Sequence, residues 1–171
     1  MERTVYFTAL FLTLFAAAYG GIIAVQDCEG IENRATDIIV DVSDCETGTN
    51  CTLVKGNTYH LKTKFTLLED IQRLNMRTLG VMGRVKMPYM GHRAVCPEAI
   101  TEDGVNCDST VGLLAGVQYT HVKEFPVRNT YPEMAMKARV EYFTGSRPTA
   151  GNTIICFEVP VQIVKAEDNE V

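Results

Sequence analysis

The chain has 171 residues, and its 21 acidic side chains outnumber 16 basic ones, which gives a formal net charge of −5. Nucleic-acid phosphates require a basic patch, so an acidic chain with scattered Lys and Arg argues against nucleic-acid binding. It argues equally against binding to an anionic membrane surface by charge alone. The length fits a single domain.

The N-terminal segment has the composition of a secretory signal. Residues 5–18 form an apolar run, and Ala18 and Gly20 supply small residues for cleavage before Gly21. The alternative is a membrane anchor, but the run is short for a span of about 20 residues. We therefore predict a signal peptide at residues 1–20 and one domain at 21–171. The destination is the extracellular fluid or the lysosomal lumen.

The rest of the chain alternates apolar and polar residues with a period of two, which is typical of half-buried β-strands. In chain order, strands are predicted at residues 38–42, 59–67, 74–87, 134–142 and 153–165. The apolar parity switches within 74–87, which indicates a bulge near Gly80. Pro160 marks a bulge or a sheet edge. Helical periodicity is poor, and residues 69–75 permit one helical turn at most.

Turns rich in glycine and asparagine separate these strands. About seven short strands with this spacing in one secreted domain predict an all-β fold. The architecture that fits this pattern is an antiparallel β-sandwich.

Six cysteines follow the signal segment, which is typical of a disulfide framework in an oxidising compartment. They are Cys28, Cys45, Cys51, Cys96, Cys107 and Cys156. Six cysteines allow fifteen pairings. No CxxC pair occurs and the three histidines are scattered, so no metal site is expected. Asn50 begins an Asn-Cys-Thr sequon, which predicts glycosylation at a surface turn.

Several short motifs, taken in order, resemble a known family. They are Asp27-Cys28, the Cys45–Cys51 loop followed by Leu53, Lys55, Gly56 and Tyr59, the runs Phe125-Pro126-Val127 and Tyr131-Pro132, and the ending Cys156-Phe157-Glu158-Val159-Pro160-Val161-Gln162-Ile163. Together with all six cysteines they cover the whole mature chain. This pattern resembles the Niemann–Pick type C, protein 2 family of the ML lipid-recognition domain.

The resemblance implies an immunoglobulin-like sandwich whose two sheets separate at one end and leave an apolar cavity for a sterol or fatty ligand. It implies the disulfides Cys28–Cys156, Cys45–Cys51 and Cys96–Cys107. Val127 and Tyr131 fall on family positions at the cavity mouth, and Pro88-Tyr89 resembles the family's proline–phenylalanine entrance. The chain departs from the family at residues 84–87 and in a longer loop between Cys96 and Cys107. These departures affect the identity of the ligand.

The methionines give a second reason to expect a cavity, because their flexible, polarisable side chains adapt to irregular apolar shapes. The cluster from Met82 through Met87 to Met90 lies beside Tyr89 and favours a pocket. The alternative is that the methionines fill an ordinary core. The predicted ligand contacts are Phe65, Met82, Met87, Tyr89, Tyr119, Val127, Tyr131 and Val140. Of these, Phe65, Tyr119 and Val140 fit a wall or core position better than a specific contact. Tyr131 could equally be a corner tyrosine bonded to backbone.

Catalysis finds little support in the sequence. There is no GxSxG motif, and adjacent carboxylates such as Glu69-Asp70 point to opposite sides of an extended chain. We expect no enzymatic activity and no cofactor.

The leading hypothesis is a secreted, monomeric carrier that transfers a sterol, a fatty acid or a similar hydrophobic ligand to membranes or partner proteins. The expected contacts with membranes or with a membrane sterol transporter are transient. Three alternatives remain: a lipid-recognition module of innate immunity, a carrier of semiochemicals, and a structural sandwich with a closed core.

Overall fold

The structure is a computed structural model that describes residues 21–46, 48 and 50–166. The predicted signal peptide at residues 1–20 lies outside the described residues. Within the described part, all regular structure is β-strand except a 3₁₀ turn at Cys96–Glu98. The all-β prediction is confirmed. Residues 69–75 form bends and a bridge between Ile71 and Leu113 instead of a helical turn.

Eleven strands are found in this part of the chain. They are β1 (Gly21–Ile22), β2 (Gln26–Asp27), β3 (Ala35–Val42), β4 (Cys51–Val54), β5 (Thr58–Leu67), β6 (Asn75–Met82), β7 (Val85–Ala94), β8 (Ala99–Thr101), β9 (Gln118–Pro126), β10 (Met134–Phe143) and β11 (Thr153–Val164). Sheet I has the order β1-β3-β5-β9-β8. Sheet II has the order β2-β11-β10-β6-β7, with β4 also paired to β11. The predicted antiparallel sandwich is confirmed.

The period of two in the sequence explains which residues face the core. In β5 every second side chain is buried, namely Tyr59, Leu61, Thr63, Phe65 and Leu67, and the side chains between them are half-buried or exposed. Sheet I packs these residues against sheet II, so β5 has one face in the core and one toward water.

Residues 74–87 do not form the single bulged strand that the alternation predicts. They span β6, a turn and the start of β7, which pair as an antiparallel hairpin. The turn contains Gly83, whose φ of 55° lies in the left-handed region that favours glycine. The pairing of β6 with β7 is irregular on both sides of Thr78, so the irregularity lies at Thr78 instead of Gly80.

Strand β11 lies inside sheet II. It pairs with β10 along its length, with β2 at Phe157 and Glu158, and with β4 from Val161 onward. The β4 pairing is parallel, in contrast to the antiparallel pairs elsewhere in the described sheets. Pro160 falls in the gap between the β2 and β4 pairings, where its missing N–H costs no hydrogen bond on that side.

Three disulfides join Cys28 to Cys156, Cys45 to Cys51 and Cys96 to Cys107, as the resemblance implies. The first closes a sequence separation of 128 residues with Cα atoms 5.5 Å apart. Of the three bridges, this one closes the longest loop and so removes the most conformational entropy from the unfolded chain. Its closure stabilises the fold by about 5 kcal/mol in the chain-entropy model.

Candidate functional site

The two sheets leave an apolar space between them toward one end of the sandwich. Its inner part, called here the inner chamber, has a volume of about 30 Å³. The lining residues of the inner chamber come from both sheets: Val42, Tyr59, Leu61 and Phe125 from sheet I, and Cys51, Leu53, Thr78, Ala138, Val140, Val159 and Val161 from sheet II and β4. The chamber is therefore a gap in the hydrophobic layer between facing strands.

A second space, the outer chamber, has a volume of about 20 Å³ and adjoins the first. Five residues line both chambers: Leu53, Thr78, Phe125, Ala138 and Val161. The outer chamber is completed by Leu79, Gly80, Tyr89, Val127, Tyr131, Met136 and Ile163. No charged side chain among the described residues lines either chamber. An ionised group would lose its hydration there without gaining a partner.

The outer chamber adjoins a surface depression of about 170 Å³, called here the mouth. The mouth and the outer chamber share Gly80, Tyr89, Tyr131, Met136 and Ile163. Met87, Pro88, Pro132 and Met134 complete the mouth. Three flexible methionines thus surround the opening, which is a lining that can adapt to different apolar shapes. The mouth and the two chambers follow one another from the surface to the space between the sheets, and neighbouring spaces share lining residues. This series of spaces is called here the passage.

Three aromatic residues, called here the aromatic latch, close this passage. The ring of Tyr89 stacks on Phe125 with centroids 4.1 Å apart and meets Tyr131 edge to face at 5.6 Å. The Tyr89 hydroxyl donates a hydrogen bond to the carbonyl of Pro126. Burial and the neighbouring Tyr131 raise the pKa of Tyr89 above its ordinary value, so the phenol remains a donor. Because β7 belongs to sheet II and β9 to sheet I, Tyr89 links the two sheets.

Gly80 lies where the mouth and the outer chamber meet, and it leaves room there for methionine side chains. A Cβ atom at this position would lie 3.0 Å from Sδ of Met136 and 3.7 Å from Cε of Met87. A side chain here would therefore push Met136 out of its present place. The absence of a side chain at Gly80 provides the room that the two methionines occupy.

The far end of the sandwich is filled by aromatic side chains. Phe65 packs against Tyr142 and Tyr119 with ring centroids 5.5 and 6.3 Å apart. All three residues are buried. This closed end limits how deeply a ligand could enter, because the packed rings leave no continuation of the chambers among the residues described there.

A buried polar cluster joins the sheets beside these rings. Nδ1 of His121 on β9 lies 3.0 Å from the hydroxyl of Tyr142 on β10, and Nε2 lies 3.4 Å from Oε2 of Glu98. Burial lowers the pKa of His121 to about 4, and the Glu98 carboxylate only partly offsets this effect. Burial also raises the pKa of Tyr142. Since a carboxylate can only accept, neutral His121 donates from Nε2 and accepts at Nδ1 from Tyr142.

The outer face of sheet II carries a row of alternating charges. Nε of Arg77 lies 2.5 Å from Glu141, and Nε of Arg139 lies 3.1 Å from the same carboxylate. Glu158 lies 3.6 Å from Arg139 and 3.0 Å from Lys137. A groove of about 730 Å³ crosses this face and includes Arg139, Lys137 and Glu158. Its polar lining differs from that of the chambers.

The structure brings five of the eight predicted contact residues together along the passage: Val127 and Val140 in the chambers, Tyr89 and Tyr131 in the latch, and Met87 at the mouth. Phe65 and Tyr119 lie at the closed end instead. Met82 lies in the groove on the outer face of sheet II. Ligand contact at all eight residues stays a prediction. Asn50 is exposed, and its glycosylation likewise stays a prediction.

Sequence reasoning missed several lining residues. Met136 and Ala138 share the alternating face of β10 with Val140, so the period of two could have found them. Phe125 belongs to one of the family motifs but was not among the predicted contacts, and it lines both chambers. The sequence did not indicate that Thr78 lines a cavity. It is a polar residue next to the point where the apolar residues change sides, and such a residue resembles a bulge position.

The described residues contain no group of three or more His, Cys, Asp or Glu side chains placed to hold a metal ion. The same part of the chain has no helix with the length and hydropathy needed to span a bilayer.

Comparison with known proteins places this geometry in a family. Residues 23–163 match the model of the ML domain. The chain is 26% identical over 157 residues to NPC intracellular cholesterol transporter 2 of Mus musculus, covering 91% of this chain and 95% of the mouse protein. It is 25% identical over 155 residues to the protein of the same name from Bos taurus, covering 90% and 93%.

A solved structure shares the fold. The crystal structure of a Niemann-Pick type C2 protein from Japanese carpenter ant matches with a TM-score of 0.62 at 23% identity, covering 82% of this chain and 99% of that chain. The family match includes all six cysteines and every residue of both chambers. The chain belongs to the ML-domain family.

Proposed function

We propose that this chain is a non-enzymatic carrier that binds a sterol or a similar hydrophobic ligand between its two sheets. The observation that carries the proposal is the series of uncharged spaces, from the mouth through both chambers, in which neighbouring spaces share lining residues. Its relatives in Mus musculus and Bos taurus are named as cholesterol transporters, which supports a sterol as the first ligand to test.

The hydrophobic effect would provide the driving force for binding. A sterol enclosed between the sheets loses about 400–500 Å² of apolar surface to water, which is worth about 10 kcal/mol. Immobilisation of the ligand and imperfect fit reduce this value, so we expect a Kd between micromolar and nanomolar.

Ligand entry requires the walls of the passage to move apart. The chambers measure about 30 and 20 Å³, whereas pockets for drug-sized ligands measure about 300–1,000 Å³. The walls meet through apolar side chains, so separation breaks weak contacts that the ligand then replaces. The methionines of the mouth and the rings of the latch are the side chains whose rotation would enlarge the opening.

The polar end of the ligand would remain at the mouth, because burial of an unpaired polar group costs about 1–3 kcal/mol. An exposed polar end is also the part that a membrane or partner protein meets first. We propose that the chain works as a secreted or lysosomal monomer that transfers its ligand during transient contacts with membranes or a membrane sterol transporter. Three disulfides suit such an oxidising compartment.

Displacement of a fluorescent sterol and of a fluorescent fatty acid by unlabelled competitors tests this function. We expect saturable binding of at least one of the two probes to the purified protein, and transfer of bound ligand to acceptor vesicles. Binding of neither probe would overturn the proposal. Binding without transfer, combined with a stable complex with a second protein, would favour a lipid-recognition module instead.

A further inference from the structure

One polar atom in the chambers has no partner. Among the described residues, the buried side-chain oxygen Oγ1 of Thr78 lacks a hydrogen bond, whereas the buried hydroxyl of Thr63 interacts with the hydroxyl of Tyr142. Thr78 is 1% exposed and lines both chambers, at the place where they join. Buried hydroxyl groups in proteins nearly always have a partner, so an unpaired one in an apolar cavity requires an explanation.

The position of Thr78 in its strand directs the side chain inward. Arg77 points to the outer face of sheet II, where its guanidinium pairs with Glu141. Successive side chains of a strand alternate between faces, so Thr78 points toward the chambers. The register of β6 against β7 shifts on both sides of Thr78. Such irregularities re-aim a side chain and are frequent next to functional sites.

Neither water nor packing accounts for the hydroxyl. A buried water needs two to four polar partners. Apart from Thr78, the only side-chain polar group among the described residues that line the inner chamber is the hydroxyl of Tyr59, which lies beside β4, where it accepts the N–H of Val54 at 2.7 Å. Valine has nearly the same shape as threonine and would fill the site without burying a polar atom. Threonine at position 78 therefore costs stability that folding alone does not recover.

We propose that Thr78 hydrogen-bonds a neutral oxygen of the ligand, a hydroxyl or a carbonyl carried within the hydrophobic body and away from the end that faces the mouth. This inference rests on the proposed carrier function and narrows its ligand class to oxygenated lipids. A carboxylate does not suit the position, because neither chamber is lined by a basic side chain of the described chain. A ligand that is hydrocarbon along its enclosed length leaves the Thr78 hydroxyl unpaired.

The test compares ligands that differ by one oxygen. Each competitor displaces the fluorescent apolar probe N-phenyl-1-naphthylamine from the wild-type chain. The first set is stearic acid with a positional series of hydroxystearic acids, and the second is cholesterol with 7-ketocholesterol. We expect at least one oxygenated competitor to bind about three- to tenfold more tightly than its parent, the range that one net hydrogen bond provides. Thr78→Val should abolish that preference, so that each oxygenated lipid binds the variant no more tightly than its own parent.

Thr63→Val is the control for removal of a buried hydroxyl, because Thr63 is also a buried threonine but is not among the lining residues of either chamber. It should keep the preference, and thermal unfolding of both variants reports whether each is folded. Equal binding of parent and oxygenated lipids to the wild type, or a preference that survives in Thr78→Val, overturns the inference while the carrier function stands. Failure of the probe and of every competitor to bind overturns both.

Discussion

At the scale of single residues, access to the chambers depends on Tyr89. Its ring covers the outer chamber, and its hydroxyl bonds the Pro126 carbonyl of the opposite sheet. A net hydrogen bond contributes about 1 kcal/mol. Opening the mouth must break this bond before a ligand can enter, so the bond adds to the barrier for exchange.

We expect Tyr89→Phe to accelerate ligand exchange about fivefold, because the ring is kept and the link between the sheets is lost. Stopped-flow release of a fluorescent sterol measures the rate. Tyr119→Phe is the control, since it removes a hydroxyl that bonds the N–H of Leu114 away from the mouth. Equal release rates for Tyr89→Phe and the wild type would show that the hydroxyl does not restrain the mouth.

Val127 narrows the same passage from sheet I. It is 2% exposed and lines the outer chamber. We expect Val127→Phe to weaken ligand binding at least tenfold by filling the chamber, with a loss of unfolding free energy of about 1–3 kcal/mol from overpacking. Displacement titration and thermal unfolding measure the two effects.

Val122→Phe is the matched control for this prediction, because Val122 lies in the middle of β9, lines neither chamber and is 39% exposed. It should change neither quantity. If Val127→Phe does not fold, Val127→Met provides a smaller obstruction of the same chamber. A folded variant that binds as well as the wild type would exclude Val127 from the route of the ligand.

Sequence alone identified the residues whose position follows from a motif. Val127, Tyr131 and Tyr89 came from the family resemblance and lie together at the opening. Met82 was grouped with them by proximity in sequence, but it lies at the end of β6 beside the turn at Gly83 and lines the groove instead of the chambers or the mouth. Proximity along a chain does not determine which space a side chain lines, because the register and the turns of the strands decide which residues meet.

At the scale of elements, sheet II depends on a row of charges across three strands. Glu141 of β10 is 5% exposed in its side chain and accepts from both Arg77 of β6 and Arg139 of its own strand. A buried carboxylate between two guanidinium groups has both of its oxygens satisfied. Removal of the carboxylate would leave Arg139, whose side chain is 9% exposed, without that partner.

We expect Glu141→Ala to lower the unfolding free energy by about 3 kcal/mol, because the buried Arg139 loses its nearer carboxylate and is left with the 3.6 Å contact with Glu158. Urea denaturation followed by circular dichroism measures this loss. Glu133→Ala is the comparison, since Glu133 is 52% exposed and pairs with Lys55 at 2.9 Å. Its loss should cost less than about 1 kcal/mol. Equal costs for the two variants would contradict a buried role for Glu141.

Strands with uninterrupted alternation were predicted within one or two residues, as β5, β10 and β11 illustrate. The hairpin of β6 and β7 was missed. Its turn at Gly83 is short, and apolar residues lie on both sides of it. The alternation therefore indicated one strand in which the apolar residues change faces, instead of two strands joined by a turn. The parallel pairing of β4 with β11 joins distant segments, and no local pattern encodes such a partner.

At the scale of the whole molecule, the sheets are linked by polar contacts at both ends of the passage. Tyr89 and Pro126 link them at the mouth, and His121 and Tyr142 link them at the closed end. The chambers between these links are walled mainly by apolar side chains. The links therefore hold the sheets at their ends and leave the intervening walls able to separate around a ligand.

The closed-end link makes stability depend on pH. His121 has a pKa of about 4 in the folded protein against 6.5 ordinarily, so the unfolded chain binds a proton that the folded chain excludes. Stability is then complete above pH 6.5 and falls by up to about 3 kcal/mol as the pH decreases toward 4. Burial acts to raise the pKa of Glu98, but its interactions with Lys123 and His121 outweigh burial and lower this pKa. The protein therefore continues to lose stability at lower pH, as Glu98 takes up a proton.

Urea denaturation of the wild type and of His121→Gln between pH 7.5 and 4 isolates this contribution, because every other titrating group is common to both proteins. We expect the two stability curves to converge as the pH falls from 6.5, since glutamine takes up no proton. Parallel curves would contradict the assignment. An NMR titration of the wild type provides a second measurement that does not depend on the variant folding. A His121 ring that remains neutral at pH 5 agrees with the buried link, and a ring that protonates near 6.5 shows that water reaches the closed end of the sandwich.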